Sequence, residues 1–429
     1  MDTPDTPVPA LALLGDSGYS VMVTSGGGGA SRSGATMINR WRNDATRDAH
    51  GQWCYLKNVA TGETWSAGHH PVAAPFTSYE VELSGACARF RRRDGAIETL
   101  TEVVALPDGS GEARRISVTN HSKKHVNLEL TTYQEVVLAS AVSDRGHRAF
   151  GNLFVQTEWL PEHNAILAMR RPRSAADKPS WCGHAFAAGS SGVVSCETDR
   201  ARFIGRGRSS GNPIAMARPG QLSGSAGAVL DPILALRADV QVGAGETAVC
   251  VFSTFVAEDR EGTLELVGKC SDIGEMQKAI ATALEQGDVA ASEIGLDDGR
   301  ASELQVLASD LVYGTGRIPR GTRDDLISIG PSGDYPIVLA RIGDAGGLDA
   351  VKELLDMRGY WTRKGISSDL VILCGDASLT SDLRDAIQQP DGIFVLDTTA
   401  LSPEVTDLLE SVARIRMRSA NGVLEKSDD

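Results

Sequence analysis

Over its first ~260 residues the chain alternates apolar and polar positions in short runs. Arg115-Ile116-Ser117-Val118-Thr119-Asn120 is one such run, and Val126-Asn127-Leu128-Glu129-Leu130-Thr131-Thr132 is another. A period of two sends successive side chains to opposite faces, so alternation marks strands with one buried face. Alternating or short β-rich runs predict strands at Tyr19–Ser25, Trp53–Asn58, Tyr79–Ser84, Cys87–Arg93, Ile97–Leu106 and Glu112–Asn120. Further runs are Val126–Val137, Asn152–Trp159, Ala165–Arg170, Ala185–Ala188 and Ala248–Ala257. Turn chemistry separates them, as in Ala60-Thr61-Gly62, Arg93-Asp94-Gly95 and Pro107-Asp108-Gly109. More than ten strands over ~260 residues predict a mainly β body, a large sandwich of two sheets.

Beyond that stretch the period changes. Ile273–Gln286 and Ser302–Tyr313 have helical spacing and are expected to bridge two domains. Tyr335–Ile342 is a buried-strand run, and Gly346–Thr362 follows with apolar residues at Leu348, Val351, Leu354 and Leu355. Asp369–Cys374 predicts a second strand, Thr380–Gln388 a short helix, and Gly392–Leu396 a third strand. Ser402-Pro403-Glu404 opens a last helix: Ser caps, Pro fits the first helical position, and Glu complements the helix dipole. A βαβαβα string of this kind predicts a small parallel α/β unit.

Composition sharpens this division. The chain has 429 residues, enough at ~150 residues per domain for two or three domains. Its formal charge is −14, and residues 276–429 hold 26 of the 56 acidic residues against 15 of the 42 basic ones. The β part is therefore close to neutral, and it also holds all eight histidines and 17 of the 22 aromatics. An acidic chain is a poor general binder of nucleic acid, whose partners are basic. No apolar run approaches the ~20 residues of a membrane span, so no direct span is expected. Seven scattered cysteines without a CxxC pair indicate neither a disulfide framework nor a zinc ribbon. Reduced thiols in a cytoplasmic setting are expected.

The candidate chemistry is concentrated in one place. Asn39-Arg40-Trp41-Arg42-Asn43-Asp44-Ala45-Thr46-Arg47-Asp48 is followed by Gly51-Gln52-Trp53. Planar Arg, Asp and Asn side chains hydrogen-bond vicinal hydroxyls, and Trp stacks on the apolar face of a pyranose ring. The plainer reading of the same residues is a solvated, salt-bridged loop with Trp packed as a core anchor. Gly26–Gly29 follows a strand, but Ala30-Ser31-Arg32-Ser33 is not the Lys-Ser/Thr continuation of a phosphate loop, so it reads as a flexible loop. Gly205-Arg206-Gly207 lacks the third glycine of a dinucleotide fingerprint. There is no GxSxG elbow, and the histidines, including the adjacent His69 and His70, lack metal-ligand spacing. No catalytic residue, metal ligand or cofactor is assigned.

At these residues the chain resembles the β-supersandwich region of cyclic β-1,2-glucan synthases. Those enzymes are relatives of the cellobiose and cellodextrin phosphorylases, once glycosyltransferase family 36 and now glycoside hydrolase family 94. The resemblance is carried by Ser17–Ser25 and by Arg40-Trp41-Arg42-Asn43-Asp44-Ala45-Thr46-Arg47-Asp48. It continues through Tyr55–Asn58, Thr61–Gly68, Arg91–Gly95, Tyr133–Ala139 and Ala149–Glu158. Later come Arg170–Ser174, Glu197–Gly207 and Val229–Ile233, and in the α/β part Gly330–Leu339. The glycine loop departs from the family: small polar residues follow it where aromatic and basic ones are usual, so it offers no stacking platform.

The resemblance implies a β-supersandwich over residues 1–270, a helical linker over 271–325 and a small α/β unit over 326–429. It also implies that catalysis lies elsewhere. The related phosphorylases react in an (α/α)6 barrel of about twelve helices, for which this sequence has no room. The chain, from Met1-Asp2-Thr3-Pro4 to Ser427-Asp428-Asp429, therefore reads as an interior piece of a synthase. The expected function is a non-catalytic carbohydrate-binding or supporting module. It would act with a catalytic (α/α)6 domain in cis or in trans, and touch a β-glucan oligosaccharide through Arg40, Trp41, Arg42, Asp44, Arg47 and Trp53. Its association with the inner membrane would run through the rest of a synthase. The rival readings are a glycosyltransferase or glycoside phosphorylase acting on β-glucans, and a scaffold without a ligand.

Overall fold

The computed structural model describes residues 1–4, 6–174, 179–189, 192–314, 317–343, 347–387, 391–420 and 423–427. They fall into two compact units, Met1–Val289 and Ala290–Asp429.

The first unit is built on two large antiparallel sheets. The nine-stranded sheet runs Leu11–Gly15, Tyr19–Thr24, Gly29–Ser33, Thr36–Asn39, Val126–Ser140, Pro232–Val242, Val194–Asp199. Trp53–Asn58 also pairs with Val126–Ser140 and carries Thr64–Ser66 beyond it. The long strand Val126–Ser140 is the hub, because its first half pairs with Trp53–Asn58 and its second half with Thr36–Asn39. The eight-stranded sheet runs Val155–Leu160, Ala165–Arg170, Ser180–Ala188, Thr247–Ala257, Gly111–Asn120, Ile97–Ala105, Ala88–Asp94, Ser78–Leu83. Alternation shows what each face buries. Ile116 and Val118 join Leu128, Leu130, Leu236 and Phe252 in the core between the sheets. Ala113 and Val104 face outward into a second core, closed by Val267, Met276 and Ile280 of the helices Arg260–Cys270 and Ile273–Gln286. A third core lies on the outer face of the nine-stranded sheet. There Trp53, Tyr55 and Tyr133 pack under Phe203, Ile204 and Met216 of the short helices Arg200–Ile204 and Ile214–Ala217.

The second unit has a five-stranded sheet in the order Ile393–Asp397, Asp369–Cys374, Ile337–Ile342, Ile415–Ala420, Val423–Lys426. The first four strands are parallel and the last is antiparallel. The sheet is thus mixed, where three parallel strands were expected. Ile415–Ala420 reads Ile-Arg-Met-Arg-Ser-Ala, itself an alternating run, and it adds a fourth parallel strand beside the unit's central one. The helix Gly347–Arg363 packs on this unit, and Trp361 donates its indole N–H to the Leu304 carbonyl at 3.0 Å. Leu304 belongs to the helix Asp298–Tyr313, which therefore lies inside the second unit, whereas Ile273–Gln286 packs on the first. The helix Ala377–Ile387 and the strand Ile393–Asp397 follow, and Ser402 caps the helix Pro403–Val412. The expected helix ends at Gly346 and Gln388, and the terminal Asp428 and Asp429, lie outside the described residues.

All seven cysteines are buried and free. Burial pushes the thiols of Cys87, Cys182, Cys196, Cys250 and Cys270 up to about 12. Among the described residues, no helix is long and apolar enough to cross a membrane.

Candidate functional site

The polar run begins where the strand Thr36–Asn39 ends. The Arg40 N–H donates to the Glu135 carbonyl at 2.9 Å, one rung beyond the Asn39–Val136 pair of the sheet. The Arg40 side chain is only 2% exposed and points into the protein. Its guanidinium reaches Asp144 at 2.9 Å, donates to Asn152 Oδ1 at 3.1 Å, and also pairs with Glu135. Asp144 and Asn152 lie on the helix Ala141–Asn152, capped by the Ser140 hydroxyl. Asp144 pairs in addition with Arg42 at 2.7 Å. Glu135 takes Arg148 at 3.1 Å and Arg200 at 2.8 Å, and both arginines also approach Asp231, at 3.3 and 3.5 Å. Four arginines and three carboxylates thus form one network. Burial alone would raise the Glu135 carboxyl, but Arg40, Arg148 and Arg200 outweigh it and hold it down to about 2. Burial opposes ionisation of Asp144 as well, and Arg40 and Arg42 pull its carboxyl below the usual range.

This network is the footing of the loop that follows. Trp41 is half-buried, Arg42 keeps 29% of its side chain exposed, and Arg47 is exposed. Asp44 folds the loop on itself: its Oδ1 accepts the Thr46 hydroxyl at 2.6 Å and the Thr46 N–H at 3.1 Å. The Thr46 hydroxyl is the main cause of the lowered Asp44 carboxyl. The loop closes at Asp48, which is buried with φ +40° and accepts the Thr24 hydroxyl at 2.6 Å. Burial raises the Asp48 carboxyl and lowers the His70 imidazole that faces the same backbone.

Gly26–Gly29 corrects an expectation. It is not a flexible loop: all four glycines are buried. A Cβ on Gly28 would stand 2.6 Å from Asp48 Oδ1 and 3.0 Å from the His50 carbonyl. The glycines let the loop after Arg40 lie against the sheet edge, where Gly29 N–H donates to the His50 carbonyl at 3.0 Å. The run serves close approach of two backbones, not mobility.

The six residues expected to meet a sugar therefore divide. Trp41, Arg42, Asp44 and Arg47 share one surface loop. Arg40 is buried in the ion network beneath it. Trp53 is 2% exposed and packed in the core on the outer sheet face. Glu135, Asp144, Asn152, Arg148, Arg200 and Asp231 were not singled out from the sequence. Glu135 alone carries a local signal, a charge within a strand run, as in Tyr133-Gln134-Glu135-Val136.

Just past the loop, Gln52 enters the interior. Its Nε2 donates to Gln134 Oε1 and to the Thr254 hydroxyl, both at 2.6 Å. Thr254 bonds His184 Nδ1 at 3.0 Å, and His184 Nε2 bonds the Thr132 hydroxyl at 2.8 Å. Five polar side chains so link the two sheets. Burial pushes the His184 imidazole down to about 3, so it is neutral. Among the described residues, no three His, Cys, Asp or Glu side chains stand where they could hold a metal ion.

The surface loop offers a partly exposed indole, a guanidinium fixed by Asp144 and a carboxylate held in a turn. That set can stack on a ring and bond its hydroxyls. Beneath it, the Glu135 and Asp144 carboxylates are held ionised by the arginines.

Residues 1–273 match the glycosyl hydrolase 94 supersandwich domain. The chain is 30% identical over 438 residues to the cyclic beta-(1,2)-glucan synthase NdvB of Rhizobium meliloti, which covers 96% of this chain and 16% of the synthase. It is 24% identical over 284 residues to the N,N'-diacetylchitobiose phosphorylase of Vibrio furnissii, covering 65% of this chain and 34% of that one. To the solabiose phosphorylase of Paenibacillus borealis it is 23% identical over 299 residues, covering 68% and 38%. The chain thus spans between 16% and 38% of the length of these three relatives.

Proposed function

The chain belongs to the glycosyl hydrolase 94 supersandwich family, and on that premise we propose that it is a non-catalytic module of a cyclic β-1,2-glucan synthase-like protein. It contacts a β-glucan oligosaccharide and presents it to a catalytic (α/α)6 domain, supplied in the same polypeptide or by a partner. The observation that carries this reading is the loop from Trp41 to Arg47. Its exposed groups are of the kind that meet a sugar, and its base is fastened by the buried Arg40–Asp144 and Arg40–Glu135 pairs. A rigid footing matters because a loop ordered in advance loses less entropy on binding. The identity to a glucan synthase along nearly the whole chain supports the choice of ligand.

Titration of β-1,2-gluco-oligosaccharides into the protein tests it, read by Trp fluorescence and calorimetry. Saturable binding at millimolar glucan is expected, and Trp41→Ala should weaken it by roughly tenfold, about 1.4 kcal/mol. Neither glucan turnover nor phosphate release should accompany binding. No heat at millimolar glucan, or an unchanged response in Trp41→Ala, would remove the loop from the proposal.

A further inference from the structure

From Arg200 to Leu230 the sequence contains five arginines, at 200, 202, 206, 208 and 218, and no Asp, Glu or Lys. This is unlike the rest of the first unit, where acidic residues outnumber basic ones. The fold gathers four of them. The helices Arg200–Ile204 and Ile214–Ala217 and the turn between them form a cleft of about 530 Å³ on the outer side of the nine-stranded sheet. Arg202, Arg206, Arg208 and Arg218 line it, together with Arg237 from the sheet.

The five guanidinium groups are not equivalent. Arg237 is 2% exposed and fully engaged: it donates to Thr131 Oγ1 at 2.9 Å and to the carbonyls of Gly220 and Ala215 at 2.6 and 2.8 Å. It is a fixed charge on the cleft floor, with the Glu129 carboxylate 3.6 Å away. Arg202 reaches Asp199 only at 3.7 Å, and Arg208 donates to Asn212 Oδ1 at 3.0 Å. Arg206 and Arg218 are exposed, and their guanidinium groups have no partner among the described residues. The one carboxylate in the lining, Glu197, is buried and already accepts the N–H groups of Thr198 and Asp199 and the Ser223 hydroxyl. It makes no ion pair with the arginines at the mouth, which leaves four lining arginines besides Arg237 against one carboxylate.

Converging positive charge in a concave, partly apolar site attracts an anion and concentrates it there. Guanidinium forks match the oxygens of phosphate in pairs. The volume is in the range that takes a small organic molecule rather than a bare ion. Gln221 and Ser223 on one wall offer polar atoms to hydroxyl groups, and Leu222 and Ile214 supply apolar surface. We propose that this cleft binds a phosphomonoester of sugar size. Arg206 and Arg218 close on the phosphate, Arg202 and Arg208 add positive charge at the mouth, and Arg237, paired with Glu129, holds the floor in place. The proposal is independent of the Trp41 loop and stands or falls without it.

Calorimetric titration of the full chain with inorganic phosphate, glucose 6-phosphate and glucose tests it. Glucose 6-phosphate should bind saturably at millimolar concentration or below, at least tenfold tighter than inorganic phosphate, and weaken with added salt. Glucose alone should give no signal. The double variant Arg206→Ala/Arg218→Ala should lose at least tenfold in affinity. Both side chains lack partners, so its melting temperature should match the parent's. Arg93→Ala/Lys123→Ala removes the same charge elsewhere on the first unit and should bind like the parent. Absence of saturable binding, or equal losses in the two double variants, would overturn the site. Equal affinity for glucose 6-phosphate and inorganic phosphate would overturn the sugar-sized ligand and leave a phosphate ion as the occupant.

Discussion

Arg40 and His184 show how differently single residues could be read from the chain. The run around Arg40 has the composition of a sugar site, and that much is local. Which of its members face solvent is not local, because it is decided by Glu135, Asp144 and Asn152, 95 to 112 positions away. A buried arginine needs those partners, since leaving it unpaired costs about 3–5 kcal/mol. Trp53 was drawn toward the surface by its neighbours in sequence, yet its strand turns it into a core. His184 has a consequence for acid stability. Burial lowers its imidazole from the ordinary 6.5 to about 3 in the fold. Between those values the unfolded chain binds a proton that the fold does not. The stability it contributes is present above pH ~6.5 and is lost toward pH ~3, at up to about 1.4 kcal/mol per pH unit. The urea midpoint should therefore fall between pH 7 and pH 5, and His184→Gln should make that fall smaller. Glu135 does not enter this window, because its contribution is lost only from about 4.5 toward 2. An unchanged pH dependence in His184→Gln would contradict the assignment.

At the scale of elements, alternation located most strands of the first unit, and Trp53–Asn58, Ala165–Arg170 and Asp369–Cys374 have their expected ends. What it missed has physical reasons. Leu11–Gly15 is wholly apolar and does not alternate, Gly29–Ser33 is small and polar, and Thr36–Asn39 is only four residues long, with Met37 and Ile38 adjacent rather than alternating. Pro232–Val242 opens with a proline, which argues against a strand except at its first residue. The helix Ala141–Asn152 carries no apolar stripe and breaks at His147, so Asn152 was assigned to the next strand. The glycine run shows that a motif can be noticed and its purpose misjudged. Gly28→Ala would press a methyl against Asp48 and the His50 carbonyl, and we expect about 1–3 kcal/mol of destabilisation and weaker glucan binding as the loop lifts. Gly34→Ala is the comparison. Its Cβ meets nothing within 4 Å, although φ is +51°, so it should lose only the ~1 kcal/mol of a left-handed alanine. Thermal melts of the two variants decide this, and equal losses would mean that crowding at Gly28 is unimportant.

For the whole molecule, the charge split and the change of period located the two kinds of architecture, and the seam between the compact units falls at Val289. Individual cores and the completion of the second sheet by Ile415–Ala420 were not legible, since both depend on pairings far apart in sequence. The cysteines carry one more consequence of this division. Six of them lie in the first unit and only Cys374 in the second, all shielded from solvent. Iodoacetamide attacks thiolates, so the native chain should take up almost no label at neutral pH. Each alkylated site then records an opening event, and a mass shift mapped to a peptide identifies the unit that opened. In mild urea, modification at Cys374 should follow its own time course, distinct from a cooperative group of six. Labelling of all seven at one rate would mean that the two halves unfold as one. The chain thus carries a tamper seal on each half, legible by mass spectrometry without any added probe.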